Sequence, residues 1–390
     1  MSLRSSAARL AALCLLLGIA LPAAAAELTD SAGRLVVLPP RVGRVMAASP
    51  TAEVLVYALA PDKLVGWTRA RPQGALPARY ARLPVVGRLA GPNPTATAAT
   101  VTRVHPDLIV DAGTVTPERA AFADQVTQAT GTPYIILDNS FARTPTMLRL
   151  LGQILGVGEH ADDLAAFAEH AINALHGRLL IQPASKRVRV YYGRGPDGLE
   201  TGLPGSPAAA TIDEAGAINV AAPLGRGERA RVTREQLLQW NPEVIVAEDR
   251  SFYDALRRDP GWRSLAAVRN KRVYLAPSQP FGWIDEPPGV NRLIGLYWLS
   301  ALLYPGETQE DVRGQLQDFY DKFYGVKLSD KQIEAIAKSA GIPPSDTPHL
   351  AALPLTGPAP AAMAPPGRRG LTTPATPSMP STTPSYLMPR

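Results

Sequence analysis

Cysteine is almost absent from this 390-residue sequence, and the one cysteine, Cys14, lies in an N-terminal segment that we expect to be removed. The mature protein would then have no disulfide, no thiolate metal ligand and no thiol nucleophile. Histidine is also scarce: three of the five histidines fall in one predicted helix, at spacings that do not share a face. We therefore expect no metal site built from protein ligands alone.

Blocks of like charge are missing as well. The sequence has 40 lysines and arginines against 34 aspartates and glutamates, and the two signs are interspersed. Since nucleic-acid-binding proteins concentrate basic residues on one face, we predict no nucleic-acid partner. Apolar residues make up 46% of the chain, which is enough for two domains with substantial cores.

The two ends of the sequence differ in composition from the rest. At the start, Arg4, Arg9, an apolar run over 10–21 and small residues at 24–26 form the pattern of a signal peptide, covering 1–26 and cleaved near Ala26. That run is shorter than the ~20 residues a membrane span needs, so we expect export to a bacterial periplasm. At the other end, residues 343–390 are rich in Pro, Ala and Thr, and we predict a disordered tail with no assigned function.

Strand-like and helix-like patterns alternate between those ends. Residues 158–182 carry apolar side chains at three- and four-residue steps and predict one long linker helix. On either side lies an apolar run entered through proline: HPDLIV at 105–110 and NPEVIV at 241–246. Continuous apolar strands are typical of parallel sheets covered on both faces. The sequence thus predicts an α/β fold with two Rossmann-like lobes, 27–157 and 183–342, whose mostly parallel sheets are joined by a single long α-helix.

Six segments between about 28 and 340 together carry a family resemblance. They are RVMAASPTAEVLVYAL (44–59), LVGWT (64–68), HPDLIV (105–110), EAGAINVA (214–221), VTREQLLQWNPEVIVA (232–247) and FYDKFYGVKL (319–328). In this order they resemble the periplasmic substrate-binding proteins of ABC importers for iron–siderophore complexes, haem and cobalamin. The resemblance implies a two-lobed binding protein rather than an enzyme, expected to be a monomer that delivers a small-molecule metal chelate to an inner-membrane ABC permease.

The resemblance also implies that ligand binds between the lobes, in loops after strand ends. Carried over by position, the ligand-binding candidates are Arg69, Arg71, Arg88, Tyr191, Tyr192, Arg194, Arg229, Arg231, Phe281 and Trp283. Guanidinium groups bind carboxylate or catecholate oxygens through a bidentate fork, and aromatic rings provide flat walls for a bulky chelate. We therefore expect an anionic ferric siderophore or haem as ligand, with no resident cofactor. Cobalamin or another metal chelate, direct iron ligation by a tyrosinate, and a periplasmic sensor without transport remain alternatives.

Docking to the permease in this family uses one surface glutamate on each lobe. Glu235, in VTREQ, occupies the second-lobe position, whereas the first-lobe position holds Ala99. The resemblance therefore implies docking through Glu235 and leaves two-point docking in doubt. Glu53 matches a glutamate common in the family's first helix, and we expect a structural role for it.

Two further patterns are weaker candidates for chemistry. The loop Gly193–Gly198 satisfies G-x-G-x-x-G, but Pro196 falls within it, and a dinucleotide site needs a helix to begin there. We expect a ligand-facing loop instead. Asp285 and Glu286 could form a general acid–base pair, yet no nucleophile accompanies them. Cleft lining or loop capping is favoured for both, and no enzyme activity is predicted.

Overall fold

A computed structural model describes residues 26–70, 74, 76–181, 183–305 and 311–343. The predicted signal peptide, apart from Ala26, and the predicted tail, apart from residue 343, lie outside this described part. Within it, no helix combines the length and the apolar character needed to cross a membrane.

The first lobe contains a three-stranded parallel sheet. Its strands are β3 (Val45–Ala47), β4 (Leu108–Gly113) and β5 (Tyr134–Asp138), in that spatial order. Every residue of β4 is buried, as expected of a strand covered on both faces. A separate antiparallel hairpin, β1 (Ala26–Thr29) with β2 (Leu35–Leu38), precedes it. Two isolated parallel bridges, Val45–Leu64 and Trp67–Val85, lie outside these strands.

Five α-helices lie in the described part of the first lobe. They are α1 (Pro50–Leu59), α2 (Ala78–Ala81), α3 (Ala98–Val104), α4 (Pro117–Thr130) and α5 (Thr144–Ile154). The starts of α1 and α4 follow from local sequence: the Ser49 hydroxyl accepts a bond from the Ala52 amide, and that of Thr116 from Arg119. A proline then occupies the first turn of each helix, where a missing N–H is tolerated.

The long helix is confirmed as α6, Gly158–Ile181, with 24 residues. It does not stand free between the lobes, because it lies against α5 of the first lobe and against two helices of the second. The ring of Phe167 contacts Tyr297 at 6.0 Å, Phe319 at 5.8 Å and Phe323 at 5.5 Å between centroids. The helix is therefore part of the core of both lobes.

The second lobe contains a four-stranded parallel sheet in the order β11-β10-β6-β8. These strands are β6 (Arg189–Gly193), β8 (Ile218–Asn219), β10 (Val244–Ala247) and β11 (Val273–Leu275). A small antiparallel ribbon, β7 (Glu200–Gly202) with β9 (Arg229–Arg231), extends from the end of β6.

The helices of the described second lobe follow in chain order. They are α7 (Ala210–Glu214), α8 (Arg234–Trp240), α9 (Arg250–Arg258), α10 (Ala266–Arg269), α11 (Arg292–Leu303), α12 (Val312–Tyr324) and α13 (Asp330–Ser339). Short 3-10 turns add Pro61–Lys63, Phe141–Arg143, Ala184–Lys186, Ala222–Leu224 and Pro260–Trp262.

The two proline-entered strands are built in the same way. Helix α3 ends at His105 with φ 50°, and α8 ends at Asn241 with φ 43°. Histidine and asparagine are among the side chains that adopt this left-handed conformation most readily. In each lobe a proline follows, and the chain enters a central strand, β4 or β10. The structural correspondence supports the prediction of two related lobes.

The lobes share one continuous hydrophobic core rather than meeting only at the linker helix. Tyr57 of the first lobe lies 6.0 Å from Phe281 of the second, and its hydroxyl donates to the carbonyl of Tyr324 at 3.0 Å. Trp67 lies 6.4 Å from the same Phe281 ring. Such aromatic clusters stabilise through area burial and through edge-to-face geometry. The long helix thus joins the two lobes as predicted, and this shared aromatic core adds a second connection between them.

We predict that Phe281→Ala lowers the free energy of unfolding by about 3–5 kcal/mol, because it empties a fully buried site at the lobe junction. Urea denaturation should still give a single transition, since the two lobes unfold together. Val85→Ala is the control: this side chain is 53% exposed, and its removal should change stability by no more than about 0.5 kcal/mol. Separate transitions for the two lobes would contradict the shared core.

Candidate functional site

A cleft opens where the carboxyl ends of the two parallel sheets face each other. Its volume is about 360 Å³. The first lobe contributes Ser49, Pro50, Thr51, Arg88, Ala90, Gly91, Pro92, Ala112, Gly113, Thr114, Arg119 and Asn139. The second lobe contributes Arg194, Pro207, Ala208, Glu228, Arg229, Asp285, Glu286, Pro287 and Pro288. Open α/β sheets bind ligands at this edge, where loops follow the strands.

The first-lobe wall is basic. The start of α1, at Ser49–Thr51, presents the positive end of a helix dipole to the cleft. Beside it, the Nε of Arg88 donates to the Asn93 carbonyl at 3.1 Å. Arg88 forms no ion pair with any acid among the described residues. Its outer nitrogens are therefore available to an anion.

Arg119 is the second arginine of this wall, and sequence reasoning missed it. It belongs to the first turn of α4, and buried Asp111 of β4 holds it through two bonds, Nε to Oδ2 at 2.7 Å and Nη2 to Oδ1 at 2.9 Å. Burial opposes the charge of Arg119, but Asp111 outweighs it and the pKa of Arg119 is raised. An aspartate inside the apolar strand LIVDAG was the signal that could have identified the pair.

The second-lobe wall carries its arginines already paired. Arg194 follows β6 and contacts Asp285, with Glu200 and Glu248 each at 3.3 Å and Glu286 at 3.8 Å. With four carboxylates around it, this guanidinium holds the loops together and has little positive charge left for a ligand. Arg194, a predicted ligand-binding residue, therefore lies at the cleft, but carboxylates of the protein already neutralise its charge.

Asp285 is buried at the base of this wall. It accepts a hydrogen bond from the Tyr192 hydroxyl and an ion pair from Arg194. Burial is the largest effect on its pKa and raises it to about 6, even though Arg194 lowers it. Burial, followed by the charge of Asp285, also holds the pKa of Tyr192 well above its usual range. The phenol is therefore neutral and engaged, which disfavours Tyr192 as a tyrosinate ligand of iron.

The remaining predicted arginines differ in position. Arg229 lines the cleft and pairs with Glu200 at 3.3 Å. Arg69 pairs across the lobes with Glu286, which itself lines the cleft. Arg231 points away: it is exposed, pairs with Asp197 and does not line the cleft. Arg71 lies outside the described residues.

The predicted aromatic walls are not at the cleft surface. Phe281 and Trp283 are 0% exposed and belong to the core, where Trp283 lies 6.1 Å from Trp298. Tyr191 is equally buried and donates its hydroxyl to the Gly198 carbonyl at 2.7 Å. The prediction that these rings contact the ligand is corrected, because apolar side chains after strand ends turned inward to cover the sheet. Prolines and alanines line the cleft instead.

A second cavity of about 490 Å³ adjoins the first and shares Thr114, Asn139 and Pro207 with it. The buried guanidinium of Arg292 lines it, and its Nη2 donates to the Asn139 carbonyl at 2.6 Å. Asn139 in turn donates to the Pro288 carbonyl. These bonds connect the lobes at the rear of the cleft.

The structure also gives the positions of the remaining residues and loops that the sequence singled out. Glu53 is buried and accepts bonds from the amide and hydroxyl of Thr68, which agrees with a structural role. The loop Gly193–Gly198 turns back into β7 without starting a helix, so it is not a dinucleotide site. Glu235 is exposed in the first turn of α8, and Ala99 is exposed on α3. Within the described residues, no cluster of three His, Cys, Asp or Glu side chains could hold a metal.

Residues 92–280 match the family described as periplasmic binding protein. Molybdate-binding protein MolA of Haemophilus influenzae is 35% identical over 182 residues, which are 45% of this chain and 50% of the relative. This chain thus spans about half the length of that curated relative.

Solved structures extend the likeness over most of the chain. An ABC transporter solute binding protein from Sulfurospirillum deleyianum is 26% identical, with a TM-score of 0.73 over 80% of this chain and 99% of its own. MolA bound to molybdate aligns with a TM-score of 0.65 at 23% identity, over 78% of this chain and 99% of its own. The heme-binding protein RhuT from Roseiflexus sp. RS-1 aligns with a TM-score of 0.52 at 22% identity, over 67% and 98%. These last two show the fold alone.

We predict a pH dependence of stability from Asp285. Its folded pKa of about 6 exceeds the unfolded value of about 3.9, so its contribution to stability is complete below about pH 4 and is lost as the pH rises through 6. Between pH 4 and pH 7, the wild-type protein should lose about 2 kcal/mol relative to Asp285→Asn in urea denaturation. Asp62→Asn, at an exposed carboxylate, is the control. Parallel stability curves for wild type and Asp285→Asn would contradict the assignment.

Proposed function

We propose that this chain, a periplasmic binding protein by its fold and by the sequence of residues 92–280, is the substrate-binding protein of an ABC importer. It would capture a metal-containing anion in the cleft between its lobes and deliver it to a permease in the inner membrane. The periplasm is the compartment in which this role operates, and the signal-peptide pattern at 1–26 agrees with it.

The observation that carries the proposal is the composition of the first-lobe wall. In the part of the chain that the structure describes, its cleft-lining residues include Arg88, Arg119 and the start of α1 but no carboxylate. Guanidinium groups and helix N-termini both bind oxyanions, the first through paired donors and the second through free amides. The wall therefore favours a ligand that presents charged oxygens.

An oxyanion of the molybdate type is the favoured ligand. MolA, the relative with 35% identity over 182 residues, is a molybdate-binding protein. The cleft volume of about 360 Å³ lies toward the small end of ligand sites, which range over about 300–1,000 Å³. None of the described residues that line the cleft is aromatic, which also favours a small ion over a flat chelate.

A ferric siderophore or haem is the second candidate, with cobalamin as a further chelate of the same kind. The adjoining cavity of about 490 Å³ supports it, because a ligand entering past Thr114 and Asn139 could occupy both spaces. Arginine also suits the carboxylate and catecholate oxygens of such chelates.

We predict that Arg88→Gln weakens binding of the ligand by about tenfold to a hundredfold, because a charge-assisted hydrogen bond contributes about 1.5–3 kcal/mol. Isothermal titration calorimetry with molybdate, tungstate, ferric citrate, a ferric catecholate and haem would identify the ligand and measure the loss. Arg231→Gln is the matched control, because Arg231 lies outside the cleft and its removal should leave affinity within twofold. Failure of all five ligands to bind the wild-type protein would refute the proposed function.

Docking should depend on Glu235, which is exposed on the second lobe. We predict that Glu235→Arg reduces ligand uptake by cells at least tenfold while ligand affinity in solution stays unchanged, since like charges at a docking surface oppose association. Asp318→Arg, a charge reversal at an exposed residue of α12 on this lobe, is the control. Normal uptake with Glu235→Arg would exclude this docking point, and normal uptake without the protein would favour the sensor alternative.

A further inference from the structure

The two walls of the cleft differ in charge. Among the described residues, the first-lobe lining has two arginines and no acid, whereas the second-lobe lining has two arginines and three acids, Glu228, Asp285 and Glu286. Both second-lobe arginines are already engaged by carboxylates. An anion entering the cleft therefore meets attraction on the first-lobe side and a wall with net negative charge on the other.

Arg119 is the most firmly held cation of the first-lobe wall. Beneath it, Asp111 has a side chain with 0% exposure and grips the guanidinium through two parallel bonds, while the Arg119 side chain stays 21% exposed toward the cleft. The hydroxyl of Tyr134 donates to Asp111 Oδ2 at 3.1 Å. The Nη1 group donates to the Thr114 carbonyl at 3.2 Å and keeps one further proton.

Gly113, also in the cleft wall, leaves room for this arrangement. A Cβ atom added there would collide with the Nη1 and Nη2 atoms of Arg119. The guanidinium therefore lies directly over the end of β4. Any side chain at position 113 would occupy the same space. Buttressing by a buried carboxylate fixes such a donor before any ligand arrives, so little ordering entropy is lost on binding.

Arg88 and Arg194 are held by the protein differently from Arg119. Within the described residues, the Arg88 guanidinium is held through its Nε alone, so its outer nitrogens can follow a ligand. Arg194 is surrounded by four carboxylates and serves the protein's own ion pairs. Arg119 alone among these three combines one buried partner with an exposed edge in an acid-free wall.

We propose that Arg119 is the fixed anchor for the anionic group of the ligand, and that Asp111 is the positioning residue that aims it. The charged oxygens of the ligand then lie against the first lobe, because Glu228 and Glu286 on the second lobe repel an anion that approaches them. This inference rests on the proposed function and names the side of the cleft that recognises the anion.

The test measures dissociation constants for molybdate and for ferric citrate by calorimetry, on the full chain. Arg119→Gln should weaken whichever anion binds at least tenfold, and Arg119→Lys should restore less than half of that loss in logarithmic terms, because lysine lacks the fork that Asp111 grips. Gly113→Ala removes no charge, and it should also weaken binding at least threefold by displacing the guanidinium. Arg103→Gln, an exposed residue of α3, is the charge-matched control and should change affinity less than twofold.

The positioning role of Asp111 is tested by a double-mutant cycle. Asp111→Asn should weaken binding at least fivefold, yet the double variant Asp111→Asn/Arg119→Gln should bind no more weakly than Arg119→Gln alone, because Asp111 acts through Arg119. Tyr134→Phe, which keeps the ring, is the milder second variant if Asp111→Asn does not fold, and it should weaken binding about twofold to threefold on the same logic.

The outcomes separate this inference from the proposed function. Anion binding by the wild-type protein that Arg119→Gln leaves within twofold would overturn the anchor alone. Additive losses in the cycle would overturn the positioning role of Asp111. No binding of either anion by the wild-type protein would overturn the anchor together with the oxyanion and citrate-type ligands.

Discussion

The rest of the structure depends on the aromatic contact between the lobes. Tyr57 and Trp67 of the first lobe meet Phe281 of the second, and the Tyr57 hydroxyl reaches the backbone of Tyr324. Because these groups are fully buried, the lobes cannot separate without exposing a large apolar area to water. The shared core therefore opposes motions that would pull the two walls of the cleft apart.

The charged side chains of the two lobes are paired differently. On the second lobe, Asp285 and Arg194 satisfy each other in a buried ion pair that also engages Tyr192, and such a pair specifies geometry more than it adds stability. On the first lobe, Arg88 and Arg119 keep exposed edges. The sequence alone does not separate arginines that pair within the protein from arginines that face the cleft. The residues that each guanidinium contacts in the folded structure make that distinction.

The sequence was sufficient for the architecture because periodicity and proline placement are local signals. The long helix and the related strands after Pro106 and Pro242 follow from neighbours in the chain. The site was harder to predict, because the direction of a loop side chain depends on distant residues. Phe281 and Trp283 follow a strand, as cleft residues do, yet they turn inward to cover the shared core. Arg119 lies in a helix, and its role depends on a partner in another element.

The shared core has a kinetic consequence. If the lobes keep the spacing that this core gives them, a ligand would enter at a rate set by diffusion and electrostatic attraction, without a slow conformational step. Differences among competing anions must then arise mainly in how quickly each one leaves. Residence time, governed by a few buttressed contacts such as the one between Asp111 and Arg119, would be the quantity that decides which cargo stays bound.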